Sequence, residues 1–273
     1  MISNLEKVIE FNTCFNHKVS NKEYLDIFEK EPKLVDLRLK LIKEEITELI
    51  EAFMDNNIIE IIDALSDILY VVYGLCACFG IKGNKNYKNF ILSMLDQNMN
   101  DNEKYMIENM TNFERTKHLY DYKNKNNGNL KKPILKEYTK NINDDKYKKD
   151  LQKLLNMINN NYQDLELSVE DQDFEQIVEY VMLLLHNTYL FGVKIGVNLD
   201  DSFTIVHDSN MTKICNSEEL AQQTVAWYKT NDSRYDTPIY SKTQNGYIII
   251  NESSGKILKS IKYTPANFSS LLI

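Results

Sequence analysis

Residues 34–79 read LVDLRLKLIKEEITELIEAFMDNNIIEIIDALSDILYVVYGLCACF, two helical periods separated by one polar break. In the first, Val35, Leu39, Ile42, Ile46, Leu49 and Phe53 recur at three- and four-residue intervals, the core stripe of a helix from Leu34 to Met54. Asp55-Asn56-Asn57 interrupts it. A second helix then spans Ile58 to Phe79, closed by Gly80, the residue type that enters the left-handed C-cap conformation at least cost. Two such helices in succession, in a chain with only 8 Gly and 4 Pro, predict an all-α fold.

Both helices turn acids toward one space. On the first, a narrower stripe begins as Leu34, Leu37 and Leu41 and continues as Glu45, Glu48 and Ala52, with Glu44 flanking it. Taken alone, that is an ordinary solvated helix edge beside Lys40 and Lys43. On the second helix, Glu60, Asp63, Asp67, Tyr70 and Gly74 share a face, and Asp67 is the only charged residue between Ala64 and Ile81. A carboxylate in so apolar a segment must be paired, hydrogen-bonded or metal-bound, because burying it alone is prohibitively costly. An oxygen-rich pocket between two acidic helices suits Mg2+, with Mn2+ the alternative ion.

Outward from this core, residues 4–17 carry helical spacing, and Glu31-Pro32 marks a boundary. The pattern weakens over 82–146, with short helices predicted at Phe90–Leu95 and Tyr105–Phe113 and a polar linker at Lys123–Lys132. Helical spacing resumes over Tyr147–Met157 and Phe174–Phe191. Near the end, Tyr247–Ile250 and Lys256–Ile261 flank Glu252-Ser253-Ser254-Gly255 and read as a β-hairpin. Glu60–Lys82 can be laid on Gln172–Lys194, with Asp63 and Asp67 on Glu175 and Glu179, which suggests an internally duplicated pseudo-dimer. In that register Glu44, Glu45 and Glu48 meet Asn156, Met157 and Asn160, so a single metal site is expected, in the first half. The chain divides into a helical half with the acidic metal site (1–82), an insertion (83–146), a degenerate second half (147–214) and a tail with the hairpin (215–273).

The run Glu44-Glu45-Ile46-Thr47-Glu48, followed by Asp63-Ala64-Leu65-Ser66-Asp67-Ile68-Leu69-Tyr70, resembles the all-α nucleoside triphosphate pyrophosphatases, which include MazG-like enzymes, dimeric dUTPases and phosphoribosyl-ATP pyrophosphohydrolases. His207-Asp208-Ser209-Asn210-Met211-Thr212-Lys213, Gly255-Lys256-Ile257-Leu258-Lys259 and Tyr263-Thr264-Pro265 are similar to motifs of a MazG-like branch. The resemblance covers about 1–82 and 190–268, and it departs from the family pattern where Ala64 replaces the usual glutamate three before Asp67. Glu60-Ile61-Ile62-Asp63 spells ExxD one turn earlier, so the ligand pair is open among Glu60, Asp63 and Asp67.

The resemblance implies a Mg2+-dependent pyrophosphohydrolase that turns a nucleoside triphosphate into a monophosphate and pyrophosphate. dUTP or another pyrimidine deoxynucleotide is the first candidate, and phosphoribosyl-ATP or other nucleotides the runner-up. It further implies metal binding by Glu45, Glu48, Glu60, Asp63 and Asp67, and proton acceptance by Glu44 or Glu45. Asn210 and Lys213 are implied for phosphate or sugar, His207 as a residue completing the pocket, and Tyr70 and Tyr73 as walls for the base. The competing class is a non-catalytic helical protein that binds a metal or nucleotide.

Bulk properties fit either class. A net charge of −8 argues against nucleic-acid or membrane-surface partners; the partners that the resemblance and the internal repeat imply are a nucleotide and a second or internal copy of the helical half. The four cysteines form no CxxC pair and read as reduced packing residues. His17, His118 and His186 show no ligand spacing and read as structural. The start lacks signal-peptide character, and the most apolar run, Ile68–Ile81, falls short of the roughly 20 residues a bilayer needs, so a cytoplasmic location is expected.

Overall fold

The structure, a computed structural model, describes residues 2–95, 101–124 and 144–272. The order is α1 (Asn4–Cys14), α2 (Ile27–Lys30), α3 (Pro32–Met54), α4 (Ile58–Phe79), α5 (Gly83–Met94), α6 (Asp101–Asn109) and α7 (Asn112–Asn124). It continues with α8 (Asp145–Glu170), α9 (Phe174–Ile195), α10 (Leu199–Met211) and α11 (Glu218–Asn231). Three short strands follow: β1 (Pro238–Thr243), β2 (Gly246–Asn251) and β3 (Ile257–Leu258). The fold is all-α with a small antiparallel sheet near its end, as the helical periods predict.

Helix α4 is the axis of the core, packed against α1, α3, α9 and α10. Its start is set by Asn57, whose side chain accepts from the Glu60 amide, and its end by Gly80 at φ 73°. A Cβ at Gly80 would lie 1.9 Å from the Lys22 carbonyl oxygen. Only glycine therefore lets the 20–24 segment close onto the end of α4, where Ser20 N donates to Ala77 O and Tyr24 N to Phe79 O. By length and composition α4 could cross a bilayer, unlike the shorter run considered in sequence, but 83% of its most apolar window is buried within the protein. Beyond its first turn, the residues not fully buried are Asp63, Asp67 and Val71, four apart along one line.

The turns entering α4 and α9 have the same geometry. Asp55 and Asp171 are right-handed, Asn56 and Gln172 left-handed (φ 52° and 55°), and Asn57 and Asp173 extended N-caps. Gly80 and Gly196 then close the two helices in the left-handed conformation. This moves the register of the internal resemblance by one helical turn, because Gly192 lies inside α9 against Leu199 while Gly196 is the cap. In the corrected register Glu44, Glu45 and Glu48 correspond to Asn160, Asn161 and Asp164, Asp63 to Glu179, and Asp67 to Leu183.

Other expectations also shift. Helix α8 continues past Met157 through Ile158, Tyr162, Leu165 and Val169, an apolar line masked by Asn159-Asn160-Asn161. The helix expected over Tyr105–Phe113 breaks at Met110–Thr111, where Thr111 and Glu114 exchange a capping box. Lys123 and Asn124 still belong to α7, and the rest of the expected linker lies outside the described residues. The expected hairpin is present as β2–β3, pairing Ile249 with Leu258 and Ile250 with Ile257, but its longer partner is β1, joined to β2 through Gln244-Asn245. Helix α11 backs this sheet, forming a second small core of Cys215, Leu220, Ala221, Tyr228, Ile249 and Leu258.

Candidate active site

A cavity of about 570 Å³ opens between α1, α3, α4, the end of α10 and the 255–268 segment. Its wall contains Glu44, Glu45 and Glu48 from α3 and Glu60, Asp63 and Asp67 from α4, so every acid singled out in sequence lies on one cavity. The heptad step from Leu34 and Leu41 to Glu48 carries α3's inner stripe into the acids, and the line of Asp63, Asp67 and Val71 is the opposing seam of α4.

The acids are crowded. Burial and the facing Asp67 carboxylate push Glu45 up to about 9. Burial and Asp63 raise Asp67 to about 7, and burial and Glu60 raise Asp63 to about 6. Glu48 is raised as well, by burial and then by Glu44. Each carboxylate raises another because their charges lie together in a medium that screens them poorly.

Three lysines answer them. Lys213, from the turn after α10, sits beside Asp67 and Glu45, and burial lowers it to about 8 despite those charges. Lys256 Nζ donates to both Glu44 carboxylate oxygens at 2.7 Å. Burial would lower Lys256, but those bonds and the Glu44 charge outweigh it and hold it above its ordinary value. Lys259, over the Tyr263 ring at 4.7 Å, lies near Glu48, Asp63 and Asp67. Lys256, Lys259 and Tyr263 were legible only as a motif, and no role had been read for them.

The remaining expected residues divide. Tyr70 and Asn210 line the cavity, and Asn210 hydrogen-bonds the Tyr70 hydroxyl. His207 does not line it. Its Nδ1 is 3.2 Å from Tyr70 Oη and its Nε2 is 3.7 Å from Glu10, so it backs Tyr70 from behind. Tyr73 is also off the wall. Rotated away from the acid line, it is fully buried, its hydroxyl 3.1 Å from Tyr189 Oη and accepting from Asn112 Nδ2 at 2.6 Å. Ser209 ties the tail to α10: its hydroxyl donates to the Thr264 carbonyl at 2.8 Å and lies 2.7 Å from Tyr263 Oη, which can donate to it in turn.

At the other end of the cavity stand Arg38 and Asn12, for which no role was read in sequence, and His17, which was read there as structural. Arg38 is 4% exposed and Asn12 1% exposed, and His17 lies between Arg38 and the Gly255 backbone. Room for Arg38 comes from Gly74, where a Cβ would sit 2.8 Å from Arg38 Nη1. The presence of Gly74 on the acid face of α4 was the one sequence signal for it.

The donor set fits a divalent cation. Among the described residues no three His, Cys, Asp or Glu side chains converge closely enough to cage an ion by themselves. Mg2+, however, rarely takes an all-protein cage; it keeps waters and is held by one or two carboxylates plus substrate phosphates. Carboxylates that hold extra protons because they are buried and, in addition, repel one another are oxygen donors short of positive charge, as such an ion requires.

Comparison with known proteins agrees with this geometry. The family model for phosphoribosyl-ATP pyrophosphohydrolase matches residues 8–92, which includes all six acids. A relative from Acanthamoeba polyphaga mimivirus, "Uncharacterized protein L479", is 33% identical over 99% of this chain and 96% of its own length, so the likeness also takes in the lysine-bearing tail. No solved structure matches. The family supports a pyrophosphohydrolase-type activity on nucleotides. With both the acid pair of helices and the family match in place, the chain belongs to the all-α nucleoside triphosphate pyrophosphatase superfamily, the group of the MazG-like enzymes and phosphoribosyl-ATP pyrophosphohydrolases.

Proposed function

We propose that the protein is a Mg2+-dependent nucleoside triphosphate pyrophosphohydrolase, with a pyrimidine deoxynucleotide such as dUTP as first candidate substrate. The observation that carries this is Glu45 and Asp67 facing one another from α3 and α4 with Lys213 beside both. An acid cluster alone would hold a cation; an acid cluster ringed by Lys213, Lys256 and Lys259 suits a cation together with a polyphosphate.

Glu45, Glu48, Asp63 and Asp67, with Glu60 at the exposed rim, would hold the metal. When bound, Mg2+ supplies neutralisation of the triphosphate and a more acidic water. The lysines orient the β- and γ-phosphates and offset their charge, which leaves the α-phosphorus toward the acids. Water attacks that phosphorus, a new P–O bond forms, and the bond to the α–β bridging oxygen breaks, so pyrophosphate leaves with that oxygen. The water's proton passes to Glu44, the α3 carboxylate turned to the mouth of the cavity rather than toward Asp67. Lys256 exchanges Glu44 for the incoming phosphate, which frees that carboxylate to take the proton. Because the α8–α9 pair has Asn160, Asn161 and Leu183 where α3–α4 have acids, one active site per chain is supported.

The test is purified protein with Mg2+ and a panel of dUTP, dCTP, dTTP, dGTP, ATP and phosphoribosyl-ATP, the last being named by the matched family model. Monophosphate and pyrophosphate in equal amounts are expected from at least one substrate. Orthophosphate as the first product, or no turnover across the panel, sinks the reading.

A further inference from the structure

At the Arg38 end of the cavity lie buried hydrogen-bonding groups that no other protein group satisfies. Arg38 Nη2 meets His17 Nδ1 at 2.9 Å, and the group lies beside the Cys78 thiol, but its Nε has no partner. Among the described residues no carboxylate forms an ion pair with it, in a protein carrying 40 acidic residues. Next to it in the wall, Asn12 has neither its amide nitrogen nor its amide oxygen bonded. Buried polar groups are almost always paired, and each one left unpaired is costly. His17 does not supply a second cation here: burial and the Arg38 charge lower it to about 3, leaving its Nδ1 an acceptor for the guanidinium.

Position says which part of a substrate arrives there. Arg38 precedes Glu45 by two helical turns on α3, and Gly74, which Arg38 touches, follows Asp67 by two turns on α4. Two turns are about 10 Å. That is the reach of a nucleoside from its 5′-phosphate to the hydrogen-bonding edge of its base. The walls between are Phe11, Tyr70 and Val8, apolar and aromatic surfaces suited to a ring.

A guanidinium offers only donors, so its complement is an acceptor, and a carbonyl oxygen with two lone pairs is the best one a nucleobase carries. Asn12 offers one donor and one acceptor, the complement of the adjacent donor–acceptor pair found on every base edge. Uracil, thymine, cytosine and guanine each have a ring carbonyl; adenine has none. We infer that Arg38 and Asn12 form a nucleobase-reading subsite in which Arg38 donates to a ring carbonyl, so that the protein takes nucleotides of the oxo bases over those of adenine. The inference rests on the proposed reading of the acids and lysines as the phosphate end.

Calorimetric titration of the full chain in Mg2+ with UMP, CMP, GMP and AMP tests it without relying on turnover. At least one oxo-base monophosphate is expected to bind about tenfold or more tighter than AMP, the scale of one hydrogen bond to a charged group. Arg38→Met keeps the buried volume and removes the donors. Gly74→Ala keeps the donors and displaces them, since its Cβ would press on Arg38 Nη1. Each is expected to bring the ratio within about threefold. AMP binding as tightly as the other three in the wild type, binding of none of the four, or a ratio unchanged in both folded variants would overturn the inference. Inorganic pyrophosphate titrated into the same proteins separates the two readings. Pyrophosphate should still bind Arg38→Met; its failure to bind even the wild type removes the phosphate-end reading itself.

Discussion

Glu44 and Lys256 lie 212 positions apart in the chain, and the Lys256 ammonium bonds both oxygens of the Glu44 carboxylate at 2.7 Å. This contact fastens the C-terminal segment across the mouth of a cavity that α3 and α4 build. A half-exposed ion pair of this kind contributes little to folding, since solvent screens it and both side chains lose freedom. Its value lies in placing a cation beside the acids. Lys256→Ala is therefore expected to keep its thermal midpoint within a few degrees of wild type while raising the KM for triphosphate about tenfold or more. Pyrophosphate release against substrate concentration checks it, and unchanged KM and kcat would remove Lys256 from the phosphate contacts.

The acids should trade stability for function. Asp67 stands in an otherwise apolar stretch of α4, raised to about 7 by burial and then by Asp63, with Glu48 near. Replacing it with asparagine removes a charge that its neighbours oppose, while the amide fills nearly the same volume. Without divalent cation, Asp67→Asn should melt at or above the wild-type temperature at pH 8, yet lose more than about a hundredfold in turnover. Glu48→Gln should behave alike. A lower melting point with turnover intact would show that the acids serve packing instead.

This conflict between local cost and position explains how much could be read from sequence. Period, caps and turn residues fixed α3 and α4 closely, because Asn57 and Gly80 announce both ends of α4 and apolar spacing needs no partner to be seen. The six acids were legible for the same reason: charge on an apolar seam is a local inconsistency. Lys256, Lys259 and Tyr263 reach the site only by the path of the tail over the cavity, which no helical period encodes. Arg38 sits on α3 beside well-read apolar positions, but its burial depends on space left by Gly74 across a helix–helix contact. The turn at Gly196 outranked the FGVK likeness at Gly192 because a left-handed cap is a backbone requirement, whereas the likeness was only of side chains.

Melting in chelator should depend on pH with a sign set by those acids. Glu45 at about 9 and Asp67 at about 7 lie above their ordinary values near 4, so between those limits the folded chain binds more protons than the unfolded one. Stability therefore falls as pH rises. The clean interval is pH 6.5 to 8, above the ordinary histidine value and below the region where Lys213, at about 8, begins to act in the opposite sense. The thermal midpoint should drop by several degrees across it, and Mg2+ should flatten the slope by favouring ionised carboxylates. A midpoint rising over this interval in chelator would contradict the crowding of the acids.

On the acid side, the group to watch is His186, wedged between Phe90 and Tyr87, where burial lowers it to about 4 from 6.5. The fold keeps it neutral and the unfolded chain protonates it, so its contribution is complete above pH 6.5 and is lost as pH falls toward 4. His186→Phe should flatten the loss of stability over that window relative to wild type, because Tyr87 keeps its other bond, to Thr116 Oγ1. Chemical denaturation at pH 4.5 and 7 in both proteins gives the comparison. Parallel curves would mean that His186 already takes up a proton in the folded state.

Tyr70 and Tyr73 read alike in sequence and should part in experiment. Tyr70 lies on the cavity wall, stacked near Phe203 at 5.2 Å and edge-on to Phe11 at 5.5 Å, so Tyr70→Ala opens the space expected to hold the ring of the substrate. Tyr73→Phe changes nothing on that wall. It leaves Asn112 Nδ2 with only Asn84 Oδ1, at 3.0 Å, and takes a neighbour from the Tyr189 hydroxyl, all in a buried network. Unmet buried hydrogen bonds cost about 1–3 kcal/mol, against which an isosteric ring loses no packing. Tyr73→Phe should therefore lower stability by about 1–2 kcal/mol in urea with kcat and KM within about twofold of wild type. Tyr70→Ala should raise KM by more than about tenfold. A Tyr73→Phe protein of full stability but altered KM would return Tyr73 to the cavity wall and reverse the two assignments.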